Sequence, residues 1–191
     1  MLIEHAHNPP VIAKTLDGEK VSLRPVQPDD AEKLSRIFAD PAVAQWWGDA
    51  ARPVHDAMNP EDGVSGFVIE VGPDAIGFIQ CHEELDPMYR SAGIDLALRS
   101  AWQGKGFGPD AIKTLARHLI TERGHHRLTI DPAAHNTRAI KAYRSVGFRP
   151  VGIMRMYERG PSGEWHDGLL MDLLAEEVLP PHPPDVPGAS P

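Results

Sequence analysis

Apolar residues recur along this chain at two spacings, and the switches between those spacings lay out its elements. Val21 and Leu23 alternate with polar neighbours in a first strand, Lys20 to Val26, after a turn at Asp17-Gly18. Gln27-Pro28-Asp29-Asp30 reads as a helix start, with proline at the first position and acids in the first turn. Ala31, Leu34, Ile37 and Phe38 then mark a buried helical face. A short second helix, Pro41 to Trp47, carries two tryptophans, and Val54 to Ser65 reads as a polar loop. Phe67 to Val71 and Ala75 to His82 form a hairpin around Gly72-Pro73-Asp74, and Glu83 to Arg90 reads as an acidic loop. The strand Ala92 to Leu98 leads into a glycine-rich turn and a helix running to about Arg123. Its apolar face is Ile112, Leu115, Ala116, Leu119 and Ile120. A strand from Arg127 to Asp131 precedes the helix Asn136 to Ser145, in which Ala139, Ile140 and Tyr143 share a face and Gly147 is the stop. Two last strands, Arg149 to Arg159 and Glu164 to Leu174, flank the turn Pro161-Ser162-Gly163. The order β-α-α-β-β-β-α-β-α-β-β predicts an α/β (α+β) domain, residues 18–178, around one mixed sheet. Residues 1–17 read as an N-terminal arm, and the proline-dominated residues 179–191 as a disordered tail.

Composition narrows the partners. The 191 residues suit one domain with a real core. A net charge of -8 argues against a nucleic-acid partner and suits a cationic small molecule or a basic peptide. Cys81 is the lone cysteine, so no internal disulfide exists and a reducing cytoplasm is expected; its place in a strand makes it a core side chain rather than a nucleophile. No apolar run approaches membrane-span length, and the first ten residues lack the pattern of an export signal. The histidines give no metal set, since His125 and His126 are adjacent and cannot face one site from a strand.

Gln103-Gly104-Lys105-Gly106-Phe107-Gly108 carries the most chemistry. A strand, a glycine turn and a helix start present several backbone N–H groups at one point, with the positive end of the helix dipole behind them. Glycine lets the chain turn tightly and approach a ligand without a Cβ in the way. The segment reads as a diphosphate cradle. It is not a Walker loop, because Phe107 follows Gly106 where Lys and Ser or Thr would stand. It is not a dinucleotide fingerprint, because one helix and one strand follow instead of a repeating unit.

The pattern Gln-x-x-Gly-x-Gly after a strand resembles the acetyl-CoA loop of the GNAT N-acetyltransferases, and the element order resembles the GNAT fold. The closer likeness is to aminoglycoside 6'-N-acetyltransferases. It is carried by Gln45-Trp46-Trp47-Gly48 with Ala51-Arg52-Pro53, by Gly93-Ile94-Asp95, by the glycine loop, and by Ile130-Asp131-Pro132 through Asn136, Arg138-Ala139-Ile140 and Tyr143 to Gly147-Phe148. Siderophore-precursor and ribosomal-protein acetyltransferases share parts of this layout. Two features depart from it. Pro109 removes one N–H from the cradle, and Tyr157-Glu158-Arg159 to Trp165-His166-Asp167-Gly168 does not follow the aminoglycoside enzymes.

Acetyl transfer to an amine needs a held thioester, a base, oxyanion donors and protonation of the leaving thiolate. Asp95 is the candidate base. It lies on the opposite strand face to Ile94, Leu96 and Leu98, where a buried carboxylate needs a partner such as a cationic amine; a strand-edge carboxylate facing solvent or an internal salt bridge is the other account of it. Tyr143 is core by its neighbours; the resemblance instead implies a proton donor to the thiolate. The resemblance also implies acyl-CoA contacts at Leu96, Ala97, Leu98, Gln103, Gly104, Lys105, Gly106, Phe107, Gly108 and Asn136, with an oxyanion donor near Leu96. An ordinary N-cap accounts for Asn136 equally well. An acceptor site could draw on Trp46, Trp47, Asp49, Glu83, Asp95, Asp131 and Asp167, with carboxylates pairing to ammonium groups and indoles packing on sugar faces. The expectation is a metal-free, cytoplasmic, acetyl-CoA-dependent N-acetyltransferase, monomer or homodimer, acting on the 6'-amine of an aminoglycoside. Two alternatives stand beside it: another acceptor (a protein N-terminus, a polyamine or a siderophore hydroxylamine), and a non-catalytic acyl-CoA-binding regulatory module.

Overall fold

Among the described residues, eight strands, numbered β1 to β8 along the chain, form a single sheet in the order β1-β2-β3-β4-β5-β6-β8-β7. The computed structural model describes residues 11–178, so the expected disorder of 179–191 and the first ten residues of the arm lie outside the described residues. The strands are β1 Leu16–Asp17, β2 Ser22–Pro25, β3 Val64–Val71, β4 Asp74–Glu84, β5 Ser91–Leu98, β6 Arg127–Ile130, β7 Arg149–Arg159 and β8 Trp165–Leu174. The helices are α1 Ala31–Phe38, α2 Pro41–Trp47, α3 Ala51–Met58, α4 Phe107–Thr121, α5 Thr137–Val146 and α6 Ala175–Val178. Neighbouring strands run antiparallel except β5 and β6, which are parallel.

The sheet alternates its side chains between two cores. Phe67, Ile69, Ile79, Ile94 and Leu128 pack with Ile112, Leu115 and Leu119 of α4 and with Phe148. Val68, Phe78 and Ala97 point through the other face onto Leu34, Ile37 and Phe38 of α1, Val43 of α2 and Ala57 of α3. This mixed α/β arrangement is the one the element order predicts. Burying each large side chain stabilises the fold by about 1.5–3 kcal/mol.

Three departures have local causes. Leu16–Asp17 adds a strand to the sheet, pairing with Leu23 and Ser22 across a turn closed by Gly18 N–H to the Val21 carbonyl at 2.8 Å. The stretch read as a polar loop from Val54 contains α3. Pro53 sits in its first turn, where proline is tolerated, and Ala57, Val54 and Met58 supply the buried face. Helix α1 starts only at Ala31, because the Asp30 carboxylate turns away from capping. It instead accepts a fork from Arg24, Nη1 at 2.8 Å and Nη2 at 2.9 Å, together with Lys33 Nζ at 2.8 Å. Asp30 is fully buried, and Arg24 also reaches Glu70 at 2.9 Å. Asp30→Ala is therefore expected to cost about 3 kcal/mol by leaving the guanidinium underpaired. It should read as a lower urea midpoint with unchanged slope.

One feature of the sheet creates the site. Strands β5 and β6 pair only at Ala92 with Leu128 and Gly93 with Thr129, and beyond those residues they splay apart.

Candidate active site

The splay opens into a cavity of about 690 Å³. Its walls come from both sides of the sheet. Ile94 to Leu98 and Ile130 to Ala133 form the split strands, Trp46, Trp47, Arg52 and Asp56 close one face, and the glycine loop with Asn136, Ala139 and Tyr143 closes the other.

The strand phase fixes what β5 offers. The Arg99 N–H donates to the Ile76 carbonyl at 3.0 Å. The β4–β5 register runs unbroken from Gly77 opposite Leu98 to Glu84 opposite Ser91. Ala97 and Asp95 therefore bond to β4, and the N–H groups of Leu96 and Leu98 face the gap that β6 has left. No bulge is needed to free them. Gln103 Nε2 donates to the Leu98 carbonyl on that side at 2.6 Å.

Gly104 and Gly106 take positive φ values of 74° and 86°, which the turn into α4 requires. Gly106 is the N-cap, and its carbonyl accepts the Asp110 N–H at 3.1 Å. Pro109 has no N–H, so the free donors of this helix start are those before it. Asn136 caps α5, its Oδ1 accepting the Ala139 N–H at 3.1 Å. Backbone donors, gap-facing strand amides and room for a chain between them suit the diphosphate and pantetheine arm of an acyl-CoA.

Asp95 sits in a small polar cluster. Gln80 Nε2 donates to its Oδ2 at 3.0 Å, and His82 Nε2 lies 2.9 Å from the same oxygen. Both nitrogens serve as donors to that one atom, and Oδ1 keeps no partner among the described residues. The bond to Asp95 raises the pKa of His82 against the opposing effect of burial. Tyr143 is 7% exposed, and burial pushes its phenol well above the ordinary tyrosine value, helped by the charges of Asp95 and Asp131. It remains a protonated phenol at neutral pH. Burial also raises Asp131, which accepts the Tyr157 hydroxyl; that bond, then burial, pushes Tyr157 up to about 12. Glu158 is raised by burial too. Four acids (Asp56, Asp95, Asp131, Glu158) and two arginines (Arg52, Arg138) line the cavity, leaving an excess of carboxylate suited to a cation.

Of the residues expected at the site, Trp46, Trp47, Asp95, Leu96, Ala97, Leu98, Gln103, Gly104, Gly106, Gly108, Asp131, Asn136 and Tyr143 all line this cavity. Trp47 is also core, with its ring 5.2 Å from that of Phe38, whereas Trp46 faces His135 at 5.1 Å. Others lie elsewhere. Strand β4 continues through Glu83, and alternation turns that side chain to the sheet face opposite His82. There it is buried against Arg123 at 2.9 Å and His125 at 2.7 Å. Asp49 accepts the Ala51 N–H at 3.2 Å in the turn leading into α3. Asp167 accepts the Met156 N–H at 2.8 Å, bracing the register shift in the β7–β8 hairpin. Lys105 Nζ turns to the Ala101 carbonyl at 2.8 Å and lies over the Trp102 ring. Phe107 packs edge-on to Trp102 at 5.5 Å. The side chains of these five make those contacts and are not among the residues that line the cavity. Gln80, His82, Arg52, Arg138 and Glu158 are cavity or cluster residues that the sequence reading left out. Cys81 is fully buried, and burial pushes its thiol up to about 12. Among the described residues, no group of His, Cys, Asp or Glu could hold a metal ion, and no helix is long and apolar enough to cross a membrane.

Comparison with known proteins follows the same lines. The family described as "Acetyltransferase (GNAT) domain" matches residues 20–149. The aminoglycoside N(6')-acetyltransferase type 1 of Klebsiella pneumoniae is 28% identical over 159 residues, which is 72% of this chain and 78% of that protein. The structure of Mycobacterium smegmatis RimJ in complex with CoA-disulfide matches with a TM-score of 0.72 at 26% identity, over 88% of this chain and 90% of that one. A variant of the spermidine N-acetyltransferase SpeG from Vibrio cholerae shares the fold, with a TM-score of 0.69 at 20% identity over 84% and 97% of the two chains. The chain belongs to the GNAT acetyltransferase family, and it is an acetyl-transferring enzyme that uses an acyl-CoA.

Proposed function

We propose that this GNAT enzyme moves the acetyl group of acetyl-CoA directly onto a primary amine of an aminoglycoside, the 6'-amine. The observation that carries the reading is the free Oδ1 of Asp95 in a carboxylate-rich cavity, next to gap-facing strand amides and the buried Tyr143. In this reading the glycine loop and Asn136 hold the diphosphate and pantetheine arm of the acyl donor. Asp95 pairs with the incoming ammonium group and takes its proton directly or through water. A carboxylate is a weak base for an alkylammonium ion, so orientation is a large part of its role. The Leu96 N–H faces the position where a thioester oxygen gathers negative charge, and a fixed donor there favours the transition state. Tyr143 gives its phenolic proton to the departing thiolate. Asp131 and Glu158 supply further negative charge for a polycation, and Trp46 offers an indole face to a sugar ring. The relationship to the Klebsiella enzyme supports this acceptor class.

The test is thiol release from acetyl-CoA with kanamycin, tobramycin or sisomicin, run beside spermidine and an N-terminal peptide. Turnover with the sugars and none with the others is expected. Acetylation of only the polyamine or the peptide would overturn the acceptor assignment and leave the acetyltransferase intact.

The His82 contact predicts a pH dependence. As pH falls through the raised pKa of His82, above the ordinary value of about 6.5, an imidazolium forms against Asp95 and cancels the charge that binds the ammonium group. The kcat/KM for a cationic acceptor should therefore fall on the acid side, and in His82→Gln that limb should move to lower pH. Superimposable pH profiles would remove His82 from the chemistry. The linked effect on stability has the opposite sense. The protonated pair stabilises the fold fully below about pH 6.5, and this is lost as pH rises through the raised value.

A further inference from the structure

The lysine inside the glycine loop is committed away from it, and another lysine stands in its place. Lys105 Nζ donates to the Ala101 carbonyl at 2.8 Å and lies 5.7 Å from the centre of the Trp102 ring. Lys20 reaches the loop from the turn between β1 and β2, with its Nζ 3.4 Å from the Lys105 carbonyl. The same ammonium lies 2.9 Å from where a Cβ on Gly106 would be, directly beside the helix N-cap. We propose that Lys20 is a phosphate-binding residue of the acyl-CoA site, its ammonium meeting the diphosphate held at Gly104 to Gly108. The assignment rests on the reading of that loop as the acyl-CoA cradle.

The placement of Lys20 is built by the helix it serves. Asp110, in the first turn of α4 and 8% exposed, accepts the backbone N–H groups of the turn. Its Oδ2 takes Lys20 at 2.8 Å and Val21 at 3.1 Å, and its Oδ1 takes Glu19 at 3.2 Å. Gly18 completes the docking, because a Cβ there would lie 2.5 Å from Thr114 Oγ1 and 2.6 Å from Asp110 Oδ2. The Cα of Lys20 is thus fixed relative to the loop, and only its side chain has freedom. An ammonium carries three N–H donors, and the long bond to the Lys105 carbonyl engages one of them.

The chemistry needs such a group. The chain carries a net charge of -8, which repels a ligand bearing several phosphate charges unless a local cation offsets it. Pro109 withholds an N–H from the helix start, and the Asp110 N–H is spent on the Gly106 carbonyl. A lysine at the N-cap restores both a donor and a charge at that point.

The experiment measures Kd by calorimetry for CoA and for dephospho-CoA, which lacks the 3'-phosphate, in the wild type, Lys20→Ala and Lys20→Arg. Acetyl-pantetheine, which carries no diphosphate, serves as a donor control for turnover. Lys20→Ala should bind both CoA and dephospho-CoA about tenfold more weakly, with the difference shrinking in high salt. Lys20→Arg should recover most of the affinity, and turnover with acetyl-pantetheine should not change. Unchanged CoA affinity in Lys20→Ala overturns the proposal. So does a loss confined to CoA, which would move the contact to the 3'-phosphate, and so does an equal loss with acetyl-pantetheine, which would make the lysine structural. A wild type that binds no CoA at all would instead bring down the cradle reading itself.

Discussion

Tyr143→Phe is expected to lower turnover by about a hundredfold or more while leaving the fold and the affinity for acetyl-CoA nearly unchanged. The ring has structural work that phenylalanine can do. It packs 6.5 Å from Phe148, ring centre to ring centre, in the cluster that includes Ala139 and Ile140. Deleting one hydroxyl removes no apolar contact and strands no buried donor, so the melting temperature should shift little. What disappears is the only tyrosine O–H that the α5 side of the cavity presents. Burial keeps that group a phenol, so in the proposed mechanism it gives a proton and does not take one. The comparison to make is kcat in the two proteins with saturating acceptor, beside a thermal melt. A retained kcat with an unchanged melt would leave Tyr143 as a core residue.

Asp95→Asn should cost about as much, a hundredfold or more in kcat/KM for a cationic acceptor, by a different route. Asparagine has the same shape, and its carbonyl can still accept from Gln80 and His82, the two donors now within 3.0 Å of Oδ2. The substitution therefore isolates charge. Without it the ammonium group loses its counter-ion and the proton loses its acceptor. Acceptor KM should rise and kcat should fall together, while CoA binding stays as in the wild type. Wild-type kinetics in Asp95→Asn would show that the amine is deprotonated before it arrives, and that Asp95 merely anchors Gln80 and His82.

Much of this site could be read from the chain because its parts are local. The glycine loop is contiguous, and the face of Asp95 follows from counting along one strand. Gln80 and His82 were legible by the same count, since Gln80 pairs with Asp95 across the hairpin and His82 shares its face. Glu83 was misplaced because the strand was ended one residue before it. Extending β4 to Glu84 sends its carboxylate to Arg123 and His125, about forty positions away. Asp167 and Glu158 flank a hairpin whose register shifts between Met154 and Glu158, so a strict period of two cannot tell which way either points. Lys20 and Asp110 lie 90 residues apart, and nothing local to either announces their contact. Helix α3 was hidden by Pro53, which reads as a breaker unless the helix is known to begin at Ala51.

The divergence of β5 from β6 after Gly93 and Thr129 also bears on traffic through the enzyme. The cavity at this gap is lined by the tryptophan-bearing helix α2 and by the glycine loop. On the proposed function each reactant has its own door, and the two would meet tip to tip in the doorway between them. Neither would then need to leave before the other enters, and the spent thiol would back out the way it came while the acetylated product departs on the far side.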